Sequence, residues 1–176
     1  VDELVDLYAE GDLDGRVIGT APRSVVRRDN LPHAATQTVL WHNGSVYVHR
    51  RTETKDVYPG LHDVWAGGVV TAGEGIDASA RRELLEELGV ASAVRPLFRY
   101  WYADNRANYL AAVYEAEYSP ADGAIRLQPE EVAEGWWMPW PDLVARLDDP
   151  SFGFTPDGRE ALRRYRAAGC GPFDPS

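Results

Sequence analysis

Between Gly68 and Val90 the chain reads GVVTAGEGIDASARRELLEELGV, a glycine-rich loop running into one strongly marked helix. No other stretch restricts the fold so tightly. Asp77 suits an N-cap, Ala80, Leu84, Leu85 and Leu88 form an apolar stripe, and Gly89 sits where a left-handed residue stops a helix. On such a helix Glu83, Glu86 and Glu87 stand at i, i+3 and i+4, so their carboxylates share one face. Like charges that close repel unless cations sit among them. Hard oxygen donors at this density suit Mg²⁺ or Mn²⁺, which bind carboxylates and substrate phosphates together. Arg82 can clamp a neighbouring glutamate through two parallel hydrogen bonds, and Glu74 can reach the same site from the loop. Gly67 and Gly68 would let backbone N–H groups approach a phosphate closely.

A solvated acidic face would account for ELLEEL by itself. It does not account for Gly68, Glu74, Arg82, Glu83, Leu84, Glu86, Glu87, Gly89 and Val90 at their fixed spacing. On average residue usage that combination arises less than about once in ten million windows.

These residues resemble the signature of the Nudix hydrolases, with every position filled. The resemblance implies an α/β (α+β) fold, the Nudix-type α/β/α sandwich with a mixed central sheet, over one domain spanning residues 1–176. It also implies a metal-dependent enzyme that cleaves a diphosphate linkage in a nucleoside diphosphate derivative or related small molecule. Glu83, Glu86 and Glu87 occupy the family's metal-ligand positions, and Arg82 and Glu74 its supporting ones. Glu86, Glu87, Arg82 and Glu74 are thus the expected catalytic set, with Mg²⁺ or Mn²⁺ as cofactor. A further carboxylate outside the motif often serves this family as ligand or base. Glu115, Glu117, Glu130 and Glu131 are candidates, the last two preferred for their loop-like position before EGWW.

A second likeness runs from about Val5 to Trp137. VDLYAEGDLDGRVIGTAPRSVVRRDNLPHAATQTVLW, VYVHRRTETKDVYPGLHDVWAGGVV and EVAEGWW are similar to the Nudix branch related to isopentenyl-diphosphate isomerase. That likeness implies His33 at a metal-ligand position, with Arg50, Arg51 and Lys55 near the diphosphate. The isomerase chemistry does not carry over. Ala66 stands where the isomerase has its cysteine, and residues 107–109 are Ala, Asn and Tyr where its acid–base glutamate falls. Proton transfer at an alkene needs an acid and a base on opposite faces of carbon. An isomerase and a nucleotide-sensing domain without turnover remain the alternatives, the second disfavoured by the complete glutamate set.

The rest of the chain supplies the frame. Segment 3–23 reads as two short strands around a Gly/Asp-rich turn, and SVVRRDN as one helical turn ended by Leu31-Pro32. TQTVLW and SVYVHRR flank His42-Asn43-Gly44, a strong hairpin signal. HDVWAGGVV reads as a strand entering the glycine loop, and VRPLFRYWYA and NYLAAVYEAEY as two strands about Asp104-Asn105. EGWWMPW leads to a short helix, PDLVARL, and a last helix starts at Pro156 and ends before Gly169.

Composition bounds the partners. Eighteen Lys and Arg against 28 Asp and Glu leave a net charge of −10, which disfavours a nucleic acid polymer. One cysteine, Cys170, excludes an intrachain disulfide and a Cys-rich zinc site. Apolar runs are short and broken by charges, and no basic segment followed by an apolar run opens the chain, so the expectation is a cytoplasmic protein without a membrane. The aromatic-rich strands are the surface from which a homodimer would be built. Tyr58, Trp65, Trp101 and Tyr102 can stack on a planar group, Trp65 being the preferred substrate contact beside Gly67, Gly68, Arg50, Arg51 and Lys55. His42 and His49 read as hairpin residues and His62 as a neighbour of the glycine loop, while Trp136, Trp137 and Trp140 read as packing for the short helix.

Overall fold

The computed structural model describes residues 1–171. In chain order the elements are β1 (Leu4–Tyr8), β2 (Val17–Pro22), α1 (Arg23–Asp29), β3 (His33–His42), β4 (Ser45–Arg51), β5 (His62–Asp63) and β6 (Trp65–Ala66). There follow α2 (Ile76–Leu88), β7 (Arg95–Ala103), β8 (Asn108–Glu117), β9 (Val132–Pro139), α3 (Trp140–Leu147) and α4 (Pro156–Ala167). This is the mixed α+β composition expected from the sequence. The described residues gather into two compact units, one from residues 1–38, 66–84 and 94–115, the other from 39–65, 85–93 and 116–171.

In the first unit β1 and β2 pair antiparallel from Leu4↔Pro22 to Tyr8↔Val17, as the two-strand reading of 3–23 requires. β3 neighbours β8 and β8 neighbours β7, which pairs with it from Ala103↔Asn108 back to Arg95↔Glu115. Tyr8, Ala34, Val70 and Leu110 form one buried cluster, and Ala80 packs with Ala112 and Tyr114 in another. A Leu or Val fully buried in this way contributes about 1.5–3 kcal/mol relative to exposure.

In the second unit β4 is central, with β3, β5 and β9 as antiparallel partners. The β3–β4 turn is Asn43-Gly44 with φ of 48° and 84°, both left-handed, as a two-residue hairpin of matching twist demands. The expected single strand HDVWAGGVV is instead two fragments, β5 and β6, broken at Val64. The cause is local: the Asp63 carboxylate accepts the N–H groups of Val64 and Trp65, at 2.8 and 3.1 Å, which a continuous ladder would need. α4 starts on a Thr155 cap, whose hydroxyl accepts from Gly158 N–H at 3.2 Å, with Pro156 in the first turn.

The helix that carries the motif, α2, differs from expectation at two residues. Asp77 is not its cap: the helix begins one residue earlier, at Ile76, and the Asp77 carboxylate receives the Tyr114 hydroxyl. Leu85 is 51% exposed, while Ala80, Leu84 and Leu88, each four apart, are the buried face. Gly89 does end the helix, with φ of 70° and its N–H bonded to Leu85 O at 2.9 Å.

Candidate active site

The loop before α2 is built around Glu74. Thr71 O receives the Glu74 N–H at 3.2 Å, closing a turn, and the Glu74 carboxylate then folds back to accept from Thr71 Oγ1 at 2.9 Å. Arg82, two turns into α2, reaches the same carboxylate with Nε at 2.5 Å and Nη2 at 3.1 Å. This is the forked, two-bond pairing that a guanidinium and a carboxylate form best. The Arg82 hydrogen bonds, aided by Thr71, hold the Glu74 carboxyl below its ordinary value, so it is ionised at neutral pH. The remaining arm, Nη1, lies 3.0 Å from Glu83 Oε1. One guanidinium thus ties a loop carboxylate to a helix carboxylate, and the Glu74 and Glu83 side chains are only 15% and 14% exposed.

Glycine is required beside these groups for space. A Cβ on Gly68 would stand 2.6 Å from Glu83 Oε1, and one on Gly67 only 1.8 Å from the Thr36 carbonyl oxygen. Thr36 N–H in turn donates to Gly68 O at 3.0 Å, which fastens the loop to β3. Glu86 is exposed on α2 and Glu87 half-buried, at the i+3 and i+4 positions from Glu83. Among the described residues no three His, Cys, Asp or Glu side chains are drawn together closely enough to hold an ion as they stand. The donor chemistry nonetheless fits a hard divalent cation, since Glu83 stands one helical turn from Glu86 and Glu87 on α2, and the absence of a Cβ on Gly68 is what lets the Glu83 carboxylate sit against the loop.

The other expected site residues are held as follows. Arg50 Nε donates to Glu134 at 2.9 Å and its Nη1 to Glu53 at 3.3 Å. Arg51 Nε donates to Val57 O at 3.1 Å, and Lys55 pairs with Glu131. Trp65 is a packing residue: 4% exposed, it donates Nε1–H to Gly158 O at 3.0 Å and meets Tyr165 edge-on. Of the four outlying carboxylates, Glu115 is buried and pairs with Arg95, Glu117 and Glu130 are exposed, and Glu131 is taken up by Lys55.

His33 is half-buried, donates Nδ1–H to Leu31 O at 2.9 Å and lies against Tyr109, and burial lowers its basicity. Its Nε2 is therefore the nitrogen with a lone pair. His42 bonds Tyr118 O, and His62 bonds Gly153 O and stacks on Phe152. Trp140 opens α3 and packs on Tyr165, whereas Trp137 lies among His42, Tyr47 and Tyr118. Thr71 was not among the expected residues, although its place three before Glu74 is the spacing of a hydroxyl–carboxylate turn.

A loop carboxylate is thus locked by arginine to a glutamate-bearing helix on an α+β frame. The NUDIX domain family matches residues 31–158, and the chain belongs to the Nudix family. It is 42% identical over 177 aligned residues to the uncharacterised Nudix hydrolase orf19 of Rhodococcus erythropolis, covering 93% of this chain and 92% of that protein. It is 38% identical to the Nudix hydrolase YfcD of Escherichia coli K12, with 91% and 84% covered. Among solved structures, DR0079 from Deinococcus radiodurans superposes with a TM-score of 0.75 at 27% identity, over 92% of this chain and 98% of that one. The Nudix domain of Shewanella oneidensis NrtR, solved with ADP ribose, shares the fold at a TM-score of 0.60 and 19% identity. The chain is accordingly an enzyme, a hydrolase acting on pyrophosphate bonds. Among the described residues no helix is long and apolar enough to cross a membrane.

Proposed function

We propose that the chain acts as a single Nudix domain that hydrolyses a small-molecule diphosphate, a nucleoside diphosphate derivative in the first instance, with Mg²⁺ or Mn²⁺. The observation that carries this reading is Arg82 bridging Glu74 and Glu83 in one network. Glu83, Glu86 and Glu87 would hold the divalent cation, which when bound would supply Lewis-acid charge to a phosphoryl oxygen and lower the pKa of a bound water. Arg82 fixes the Glu83 carboxylate, which limits its search over rotamers. Glu74 fixes Arg82 and stays ionised while doing so. Gly67 and Gly68 are proposed to meet the phosphate through backbone N–H groups, since the space left by their missing Cβ atoms is taken by Thr36 O and Glu83. Arg50, Arg51 and Lys55 are proposed as phosphate contacts on the isomerase likeness alone. Each already has an acceptor, so a phosphate would exchange for Glu53, Val57 O or Glu131.

The test is phosphate release in the presence of Mg²⁺ and an added phosphatase. The panel spans nucleoside triphosphates, nucleotide sugars, ADP-ribose, dinucleotides and isoprenoid diphosphates. Release confined to one class names the substrate. Silence across the panel, with proton exchange into isopentenyl diphosphate, would replace the hydrolase with an isomerase.

A further inference from the structure

The N-terminal hairpin lies outside the family match, which begins at residue 31, yet it is bonded directly to the motif loop. Three successive residues of β1 hold three successive residues of that loop. Ala72 N–H donates to Leu4 O at 2.9 Å, Val5 bridges Thr71 in antiparallel register, and Gly73 N–H donates to the Asp6 carboxylate at 3.0 Å. Asp6 is only 8% exposed. A carboxylate that far from water is costly unless a donor meets it, and the donor here is the backbone amide next to Glu74. Gly73 has a left-handed φ of 77°, a conformation that directs this N–H into β1 while the chain turns to present Glu74.

We infer that Asp6 is a positioning residue for catalysis. By holding Gly73 N–H, it fixes the turn from Thr71 to Glu74, and through Glu74 the Arg82–Glu83 pair. The inference rests on the proposed hydrolase, since the group being positioned is the motif glutamate. In this assignment Asp6 acts through the loop.

The experiment compares Asp6→Ala, Asp6→Asn and Thr20→Gly by steady-state kinetics and melting temperature. Thr20 faces Asp6 across the β1–β2 register, so its replacement loosens the same hairpin without touching Gly73. Asp6→Ala should lower kcat about tenfold with KM within twofold, because a hydrogen bond to a charged acceptor is lost from an element that sets transition-state geometry. Asp6→Asn keeps an acceptor oxygen and should recover most of that loss. Thr20→Gly should lower the melting temperature and leave kcat unchanged. In a Glu74→Ala background, Asp6→Ala should cost no further activity, since both act on one chain of contacts. Unchanged kcat in a folded Asp6→Ala variant, or an equal loss in Thr20→Gly, would overturn the inference. Amide exchange at Gly73 reads the bond independently of turnover. Faster exchange in Asp6→Ala is expected even if no panel substrate is cleaved, and unchanged exchange would overturn the assignment by itself.

Discussion

Two adjacent glycines make opposite demands, and replacing each by alanine separates folding from chemistry. A Cβ at Gly67 would lie 1.8 Å from the Thr36 carbonyl oxygen and 2.6 Å from its carbon. Both are β3 backbone and cannot step aside. The strand or the loop must be displaced, which costs about 3 kcal/mol or more, above the usual range for overpacking. For a chain of this size that lowers the melting temperature by about 6–12 °C or prevents folding. A Cβ at Gly68 instead meets the end of a flexible side chain, Glu83 Oε1 at 2.6 Å and Cδ at 2.9 Å. The carboxylate can yield by about 0.5 Å or more, at little cost to stability. It then leaves its 3.0 Å contact with Arg82, and if Glu83 is the metal ligand proposed above, a misplacement of about 1 Å can cost a hundredfold in rate. Gly68→Ala should therefore melt within about 3 °C of the unaltered protein while kcat falls by about two orders of magnitude. Thermal melts and steady-state phosphate release measure both. A Gly68→Ala variant with full activity, or a Gly67→Ala variant as stable as the parent, would refute the reasoning.

Other expectations follow from the same contacts. Glu74 is held below its ordinary 4.5 by Arg82, so its contribution to stability is complete above that pH and is lost as pH falls through the lower folded value. The melting-temperature gap between the parent and Glu74→Gln should accordingly be full at pH 6 and narrow below 4.5. His49 is fully buried with Nδ1 unpaired, and burial lowers it from 6.5 to about 4. It is neutral in the fold and charged in the unfolded chain between those values, so its stabilisation is present above 6.5 and lost as pH falls toward 4. His49→Leu should gain on the parent in melting temperature across that interval, and a constant difference would contradict it. Binding of Mg²⁺ at ten times its dissociation constant should raise the melting temperature by about 3–6 °C, read by differential scanning fluorimetry. The increase should vanish when Glu83, Glu86 and Glu87 are all replaced by glutamine.

How much of this was legible in the sequence depended on the range of each interaction. The limits of α2 were set by neighbours in the chain, Gly75 with φ of 83° and Gly89 with φ of 70°, and reading the segment located both ends closely. The sequence offered Arg82 a neighbouring glutamate without saying which, and the structure gives it Glu74, eight residues back, together with Glu83. Leu85 was misplaced because an apolar residue beside Leu84 satisfies helical periodicity almost as well, and only packing decides which side is buried. Partners far apart in sequence left no local trace. Lys55 meets Glu131 across 76 positions, Gly73 meets Asp6 across 67, and Trp65 gives its N–H to Gly158 across 93. An aromatic before a glycine loop reads equally as a stacking platform or as core, and Tyr165, a hundred positions on, makes it core. The break at Val64 has a local cause that the apolar run around it masked, since Asp63 can either join a strand or capture the next two amides.

The central claim is that the α2 glutamates drive pyrophosphate hydrolysis, and Glu87→Gln tests it most directly. Glutamine keeps the length and helix propensity of the half-buried Glu87 and removes only its charge, so the fold is retained. Phosphate release from the substrate the parent cleaves best, at saturating Mg²⁺ and matched melting temperature, should fall by at least about two to three orders of magnitude. Turnover equal to that of the parent would contradict the account.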